Sequence, residues 1–277
     1  MKPNEPSRTA LMIARQRAAH QVLDHGSILY DPFAIKILRE DEKDVLQFAN
    51  KHPLASIGRL FTTARSRIAE DALSRAVEKG IRQIAVLGAG LDTFALRNPH
   101  VARQIRIYEV DHAAMQAWKR QRLAEAQIAL PPWLILVPVD CERDDLGETL
   151  VGAGFQQNAP AFFTWLGVVP YLTQEAIGST LDYMASIQNS EVVFDYMEPP
   201  QAFSEEMRKS VTDFSLHVRA CGGWEGLAGG TADSSADLGA GGFADDFRIL
   251  RGDDWASSRG LAPVSGLVGS IEVFVAG

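Results

Sequence analysis

Apolar and polar residues change their rhythm near residue 80, dividing the chain into a helical start and an alternating centre. Before that point the spacing is helical: Leu11, Ala14, Ala18 and Val22 share one face, with Arg15 and Arg17 close by. Asp31-Pro32 predicts the opening of a second short helix, since proline suits a first turn. Thr62 or Thr63 predicts the cap of a third, with Ile68, Ala72, Ala76 and Val77 on one side and a stop at Gly80.

Beyond Gly80, short apolar runs alternate with amphipathic stretches. Strands are expected at Ile84–Leu87, Ile105–Val110, Leu134–Val139, Ala161–Leu166 and Val192–Tyr196. Helices are expected at Ala113–Gln127, near Asp145–Val151, and at Gln174–Gln188 with Thr173 as N-cap. Strands this short and apolar, separated by helices, imply an α/β fold with a doubly wound, mainly parallel, Rossmann-like sheet. Right-handed crossovers bring the carboxyl ends of the strands to one edge, where ligands bind. Gly88, Asp111, Asp140, Gly167 and Met197 all fall at such ends.

A further helix is expected at Phe203–Arg219. Beyond Cys221 the pattern fades, and over half of the 23 glycines crowd into the last quarter. Strand-like fragments remain at Phe247–Leu250 and Ile271–Ala276, and there is no internal repeat. The expected organisation is one domain: a helical cap over 1–80, a cofactor-binding core over 81–198, a lid helix over 199–220, and a tail over 221–277 that completes the sheet.

Composition narrows the class. A formal charge of −8 argues against nonspecific nucleic-acid binding, and the small basic cluster Lys119, Arg120 and Arg122 reads as a solvated helix face. Two cysteines, Cys141 and Cys221, make neither a disulfide framework nor a CxxC metal site. No signal-peptide pattern follows Met1, and no apolar run approaches the roughly 20 residues that span a bilayer. The expectation is a cytoplasmic enzyme with no membrane or nucleic-acid partner and no metal.

The candidate chemistry starts at Gly88-Ala89-Gly90-Leu91-Asp92-Thr93, directly after the first strand. A second strand ending in Glu109-Val110-Asp111 follows about 20 residues later, the spacing used to grip a nucleoside-containing cofactor. A dinucleotide fingerprint wants a third glycine where Thr93 stands, so that a pyrophosphate can sit over the next helix. S-adenosylmethionine has a ribose, an adenine and an amino-acid tail but no pyrophosphate, and so explains the departure. Gly88 and Gly90 would let its methionine portion lie against backbone. Asp111 would accept from the ribose hydroxyls, with Glu109 on the same strand face as runner-up. Asp140 would accept from the adenine amine and the amide of Cys141 would donate to the ring.

The chain resembles the leucine carboxyl methyltransferase family of class I S-adenosylmethionine-dependent methyltransferases, most of all its actinobacterial small-molecule branch. The likeness rests on Ser7-Arg8-Thr9-Ala10-Leu11-Met12, Asp31-Pro32-Phe33-Ala34, the segment from Val86 to Thr93, Glu109-Val110-Asp111, Val137-Pro138-Val139-Asp140, and the segment from Trp165 to Thr173. It spans roughly residues 7 to 200. The resemblance implies the same placements for Gly88, Asp111, Asp140 and Cys141. It also implies that Arg65, and less directly Arg15, holds the cofactor carboxylate. Two departures stand out: Leu166 replaces an acid of the fourth-strand motif, and no Phe-Asp-Pro segment precedes the last strands.

The expected activity is methyl transfer from S-adenosylmethionine to a carboxylate or hydroxyl of a small molecule. An ionised carboxylate needs no general base, whereas an alcohol or phenol does, and His217, Glu198 and Tyr196 are candidates. Tyr171 and Trp165 are pocket candidates. The competing readings are a cofactor-binding homologue with little or no catalysis and an NAD-dependent oxidoreductase.

Overall fold

The computed structural model describes residues 7–51, 55–140, 143–196 and 270–275, together with helical positions 205, 208 and 212. Four helices precede the sheet: α1 (Arg8–Leu23), α2 (Ala34–Leu38), α3 (Glu42–Ala49) and α4 (Ala55–Glu78). Ser7 caps α1, its hydroxyl accepting the N–H of Ala10 at 3.3 Å. The helix predicted after Thr62 is the second half of α4, which starts at Ala55. Thr63 does not cap it but turns its hydroxyl back to the carbonyl of Arg59, 2.9 Å away, as a mid-helix threonine does. Asp31-Pro32 forms a turn, and α2 begins two residues later than Pro32. The spacing did not announce α3, because charged residues open it and only Val45 and Ala49 are buried.

The alternating region folds as read. Strands β1 (Gln83–Leu87), β2 (Arg106–Asp111), β3 (Leu134–Pro138), β4 (Ala161–Trp165) and β5 (Glu191–Tyr196) run parallel. Helices α5 (Ala113–Glu125), α6 (Leu146–Gly152) and α7 (Gln174–Ala185) connect β2 to β3, β3 to β4 and β4 to β5, while two short 3-10 turns lead from β1 to β2. Thr173 caps α7 through the N–H of Ala176. The last strand, β6 (Ser270–Val275), pairs antiparallel with β5 and gives a sheet of order β3-β2-β1-β4-β5-β6. The expected helix Phe203–Arg219 lies outside the described residues apart from positions 205, 208 and 212, and Phe247–Leu250 lies outside them entirely.

Period-two alternation distributes the strand side chains to two cores. On one face Leu87, Tyr108, Val110, Phe163, Trp165 and Phe194 pack with Leu150 of α6 and with Leu181 and Met184 of α7. On the other, Ile84, Ile107, Phe162 and Val193 pack beneath Ile68, Ala72 and Ala76 of α4. A third cluster joins α1, α2 and α3 to Leu91 of the glycine loop and to Met115 and Leu123 of α5. The helical cap is therefore seated on the segment that follows β1. Among the described residues no helix is long and apolar enough to cross a membrane.

One polar feature of the cap has a pH signature. His20 is fully buried; its Nδ1 lies 2.9 Å from Asp24, and its Nε2 accepts the N–H groups of Ile28 and Leu29 at 3.2 and 3.3 Å. The ring is thus neutral, with its proton on Nδ1, and burial holds its pKa below the usual 6.5 despite Asp24, with nearby Arg59 adding to the effect. The unfolded chain takes up this proton first, so stability should fall as pH drops from about 6.5 towards the lower folded value. Thermal melts across that window should show the decline, and His20→Gln should flatten it.

Candidate active site at the carboxyl edge of the sheet

β1 lies between β2 and β4, so the chain reverses its order of strand addition there and opens a crevice at the carboxyl edge. Leu87 pairs with Val110 and Val86 with Thr164, which brings Gly88, Asp111 and Leu166 to one level beyond the paired rows. Gly88 and Gly90 have φ of +63° and +48°, left-handed values that favour glycine. A Cβ on Gly88 would lie 2.2 Å from Cγ2 of Val168, and one on Gly90 would lie 3.3 Å from the Cβ of Ala10 in α1. The loop is therefore bare backbone pressed between the β4 turn and the cap. Gly88→Ala should cost about 2 kcal/mol from the clash and the left-handed backbone together. Urea denaturation measures it, and Val168→Ala in the same chain should recover part of the loss.

Asp111 is fixed beside this loop. Its Oδ2 accepts the N–H of Gly90 at 2.6 Å and its Oδ1 the N–H of His112 at 2.7 Å. A carboxylate has about four lone-pair positions, so each oxygen keeps capacity for a ligand hydroxyl. Burial pushes the Asp111 carboxyl above its usual range, while the two backbone donors pull it down.

Glu109, the runner-up, is not available. It is 1 % exposed, and its carboxylate receives a hydrogen bond from Lys119 Nζ at 2.5 Å. Lys119 is also 1 % exposed, which corrects its reading as part of a solvated face; its ammonium additionally donates to the carbonyl of Asp92 at 2.7 Å. A signal was present: Lys119 sits four residues from both Met115 and Leu123 on the buried stripe of α5, and Glu109 interrupts an apolar strand.

Arg65, on α4, is buried, with Nη1 donating to Asp195 of β5 at 2.7 Å. The other oxygen of Asp195 accepts the N–H of Gly167, at 2.5 Å. The guanidinium stacks over Phe61 and lies flat against Gly167, where a Cβ would meet Nη2 at 2.8 Å. Arg65 is thereby carried to the strand-end edge, next to the turn that touches Gly88. Arg15 instead forms a two-pronged pair with Glu40 on the cap, with contacts of 2.9 and 2.5 Å. Its neighbour Arg17 reaches the loop, donating from Nη2 to the carbonyl of Leu91.

Asp140 follows β3 in a turn: its carbonyl accepts the N–H groups of Arg143 and Asp144, and its own N–H donates to the Asp144 carboxylate at 2.8 Å. Cys141, Met197, Glu198, His217 and Cys221 lie outside the described residues, as does the side chain of Tyr196. Trp165 is a core residue, 1 % exposed and packed near Phe194, whereas Tyr171 is half-buried in the 3-10 turn after β4. Leu166 lines a small cavity of about 30 Å³ with Ser66, Glu70, Asp92 and Thr164. Among the described residues no group of three His, Cys, Asp or Glu could hold a metal ion.

The segment after the glycine loop bears on the cofactor. Thr93 leads into a three-residue 3-10 turn, Phe94–Leu96, and not into a helix of several turns. No helix N-terminus is aimed at the loop from this segment, so the anion site that a dinucleotide pyrophosphate uses is not built there.

A doubly wound sheet with its last strand reversed, a glycine loop after β1 and an acid closing β2 define the class I methyltransferase fold. The fold is shared with a solved DUF574 family protein from Streptomyces avermitilis, at TM-score 0.60 and 15% identity over 98% of both chains. A solved Thermobifida fusca protein, provisionally named a methyltransferase, matches at TM-score 0.59 and 16% identity over 99% of this chain and 96% of its own. The chain belongs to the leucine carboxyl methyltransferase family, whose model matches residues 10–185. It is 32% identical over 223 residues to YktD of Bacillus subtilis, provisionally named an S-adenosyl-L-methionine-dependent methyltransferase, covering 72% of this chain and 73% of that one. A Mycobacterium tuberculosis protein with the same provisional description is 27% identical over 224 residues, covering 76% and 71%. The protein is thus an S-adenosylmethionine-dependent methyltransferase, and the oxidoreductase reading is without support.

Proposed function

We propose that this methyltransferase places the methyl group on an oxygen, carboxylate or hydroxyl, of a small molecule in the cytoplasm. The observation that carries the site reading is Asp111, held by two backbone N–H groups beside a glycine loop and keeping acceptor capacity on both oxygens. Gly88 and Gly90 offer backbone to the methionine portion, Asp111 takes the ribose, and Asp140 with Cys141 takes the adenine. Arg65 supplies donors for the carboxylate, its charge already partly balanced by Asp195.

Bound S-adenosylmethionine supplies an electrophilic methyl on a sulfonium. The chain's part is to orient acceptor and donor in line and to exclude water. Asp31, Glu70 and Glu109 are each bound to buried cations or donors, so none of them is offered as a base. A carboxylate acceptor would arrive ionised and need no base, whereas a hydroxyl acceptor would draw on His217, Glu198 or Tyr196. The first test is isothermal titration with S-adenosylhomocysteine, followed by an acceptor screen with labelled methyl donor. Label released as methanol on mild alkaline treatment identifies an ester; alkali-stable label identifies a hydroxyl acceptor or another nucleophile. Absence of S-adenosylhomocysteine binding would sink the site reading.

A further inference from the structure

Thr93 is fully buried, and its hydroxyl donates to Oδ2 of Asp31 at 2.5 Å. Asp31 comes from the segment between α1 and α2, is 1 % exposed, and accepts the N–H of Phe33 at 3.0 Å with Oδ1. Two guanidiniums flank it: Arg17 of α1, with Nε 3.6 Å away, and Arg97, with Nε 3.8 Å away. Arg17 also donates to the carbonyl of Leu91, and Arg97 grips the carboxylate of Glu70 on α4 with both ends of its fork. Two cations thus face two anions in a buried set that touches α1, α4 and the carboxyl-terminal end of the glycine loop. Such a set holds its geometry because any one group left alone would be strongly penalised. Arg17 Nε is buried and has no hydrogen-bond partner, so the set has one bond left to make.

We propose that Arg17, Asp31 and Thr93 form a clasp that positions the Gly88–Gly90 loop for the cofactor without touching it, and that cofactor binding in turn tightens α1 onto the sheet. The proposal rests on the cofactor site described above. It explains why a threonine occupies the third-glycine position and why α1 carries a buried arginine at position 17. Coupling of this kind is reciprocal: whatever the clasp adds to cofactor affinity, the cofactor returns as protection of the cap.

Thr93→Val removes the hydroxyl and keeps the shape, whereas Thr93→Ser keeps the hydroxyl. With S-adenosylhomocysteine as the probe, Thr93→Val should bind about tenfold more weakly and Thr93→Ser within about threefold of wild type. In turnover, the loss should appear in KM for the methyl donor more than in kcat. Hydrogen exchange of wild-type α1 should slow on adding the probe, and the slowing should shrink in Thr93→Val. Wild-type affinity in Thr93→Val, or equal losses in the Val and Ser variants, would overturn the clasp while leaving the cofactor site intact. If Thr93→Val does not fold, the wild-type exchange experiment decides, and unchanged α1 protection overturns the proposal. If the wild type does not bind the probe, the cofactor site itself fails and the clasp falls with it.

Discussion

Asp111→Ala should weaken S-adenosylhomocysteine binding by about 100-fold while the protein stays folded. A hydrogen bond to a charged acceptor contributes about 1.5–3 kcal/mol, and two ribose hydroxyls meet this carboxylate in the proposed site. The variant also frees the N–H groups of Gly90 and His112, which loosens the loop itself. Asp111→Asn, with one acceptor oxygen, should fall between the two. Titration calorimetry reads the affinity, and circular dichroism confirms the fold. Unchanged affinity in the alanine variant would sink the site, because Glu109 is tied to Lys119 and has no freedom to take over.

The second large effect concerns that buried pair. Lys119→Met should destabilise the protein by about 3–5 kcal/mol, since it leaves the Glu109 carboxylate buried without its counter-ion. Burial already pushes the Glu109 carboxyl above its usual value, and Lys119 is the main group pulling it down. Without the lysine the carboxyl rises further, so the folded variant binds its proton at higher pH than the unfolded chain does. The added instability is then full above the folded pKa and eases as pH falls towards the unfolded value near 4.5. Urea denaturation at neutral and mildly acidic pH tests both parts. The double variant Glu109→Leu with Lys119→Met should regain much of the loss, as apolar replacement of a buried pair often does. The carbonyl of Asp92 would still lose its donor, so a deficit in cofactor affinity should persist.

Much of the candidate site is legible in the sequence. The run from Gln83 to Gly90 announces a strand entering a tight turn, and Asp111 closes the next strand; a parallel sheet leaves little freedom in how those two ends meet. What spacing cannot show is which charged residues have left water. Lys119 and Arg122 look alike in a basic helix, yet Lys119 is 1 % exposed against Glu109, and Arg122 is part of the rim over the ring of Trp118. Arg15 and Arg17 are two residues apart on α1, about 200° around its axis, so one meets Glu40 and the other the glycine loop. Asp31 reads from sequence as the start of a helix, and its role as an acceptor for Thr93, 62 positions away, exists only once the cap is seated.

The sequence by itself determined the secondary-structure rhythm, the parallel sheet and the edge at which Gly88 and Asp111 meet, because those follow from local periodicity and from the handedness of crossovers. Tertiary structure decided which of the ionisable residues became buried partners. Pairing of Lys119 with Glu109, Arg65 with Asp195 and Thr93 with Asp31 spans 10 to 130 positions of chain. Each such pair depends on desolvation by surrounding elements, a property that no local stretch of residues possesses.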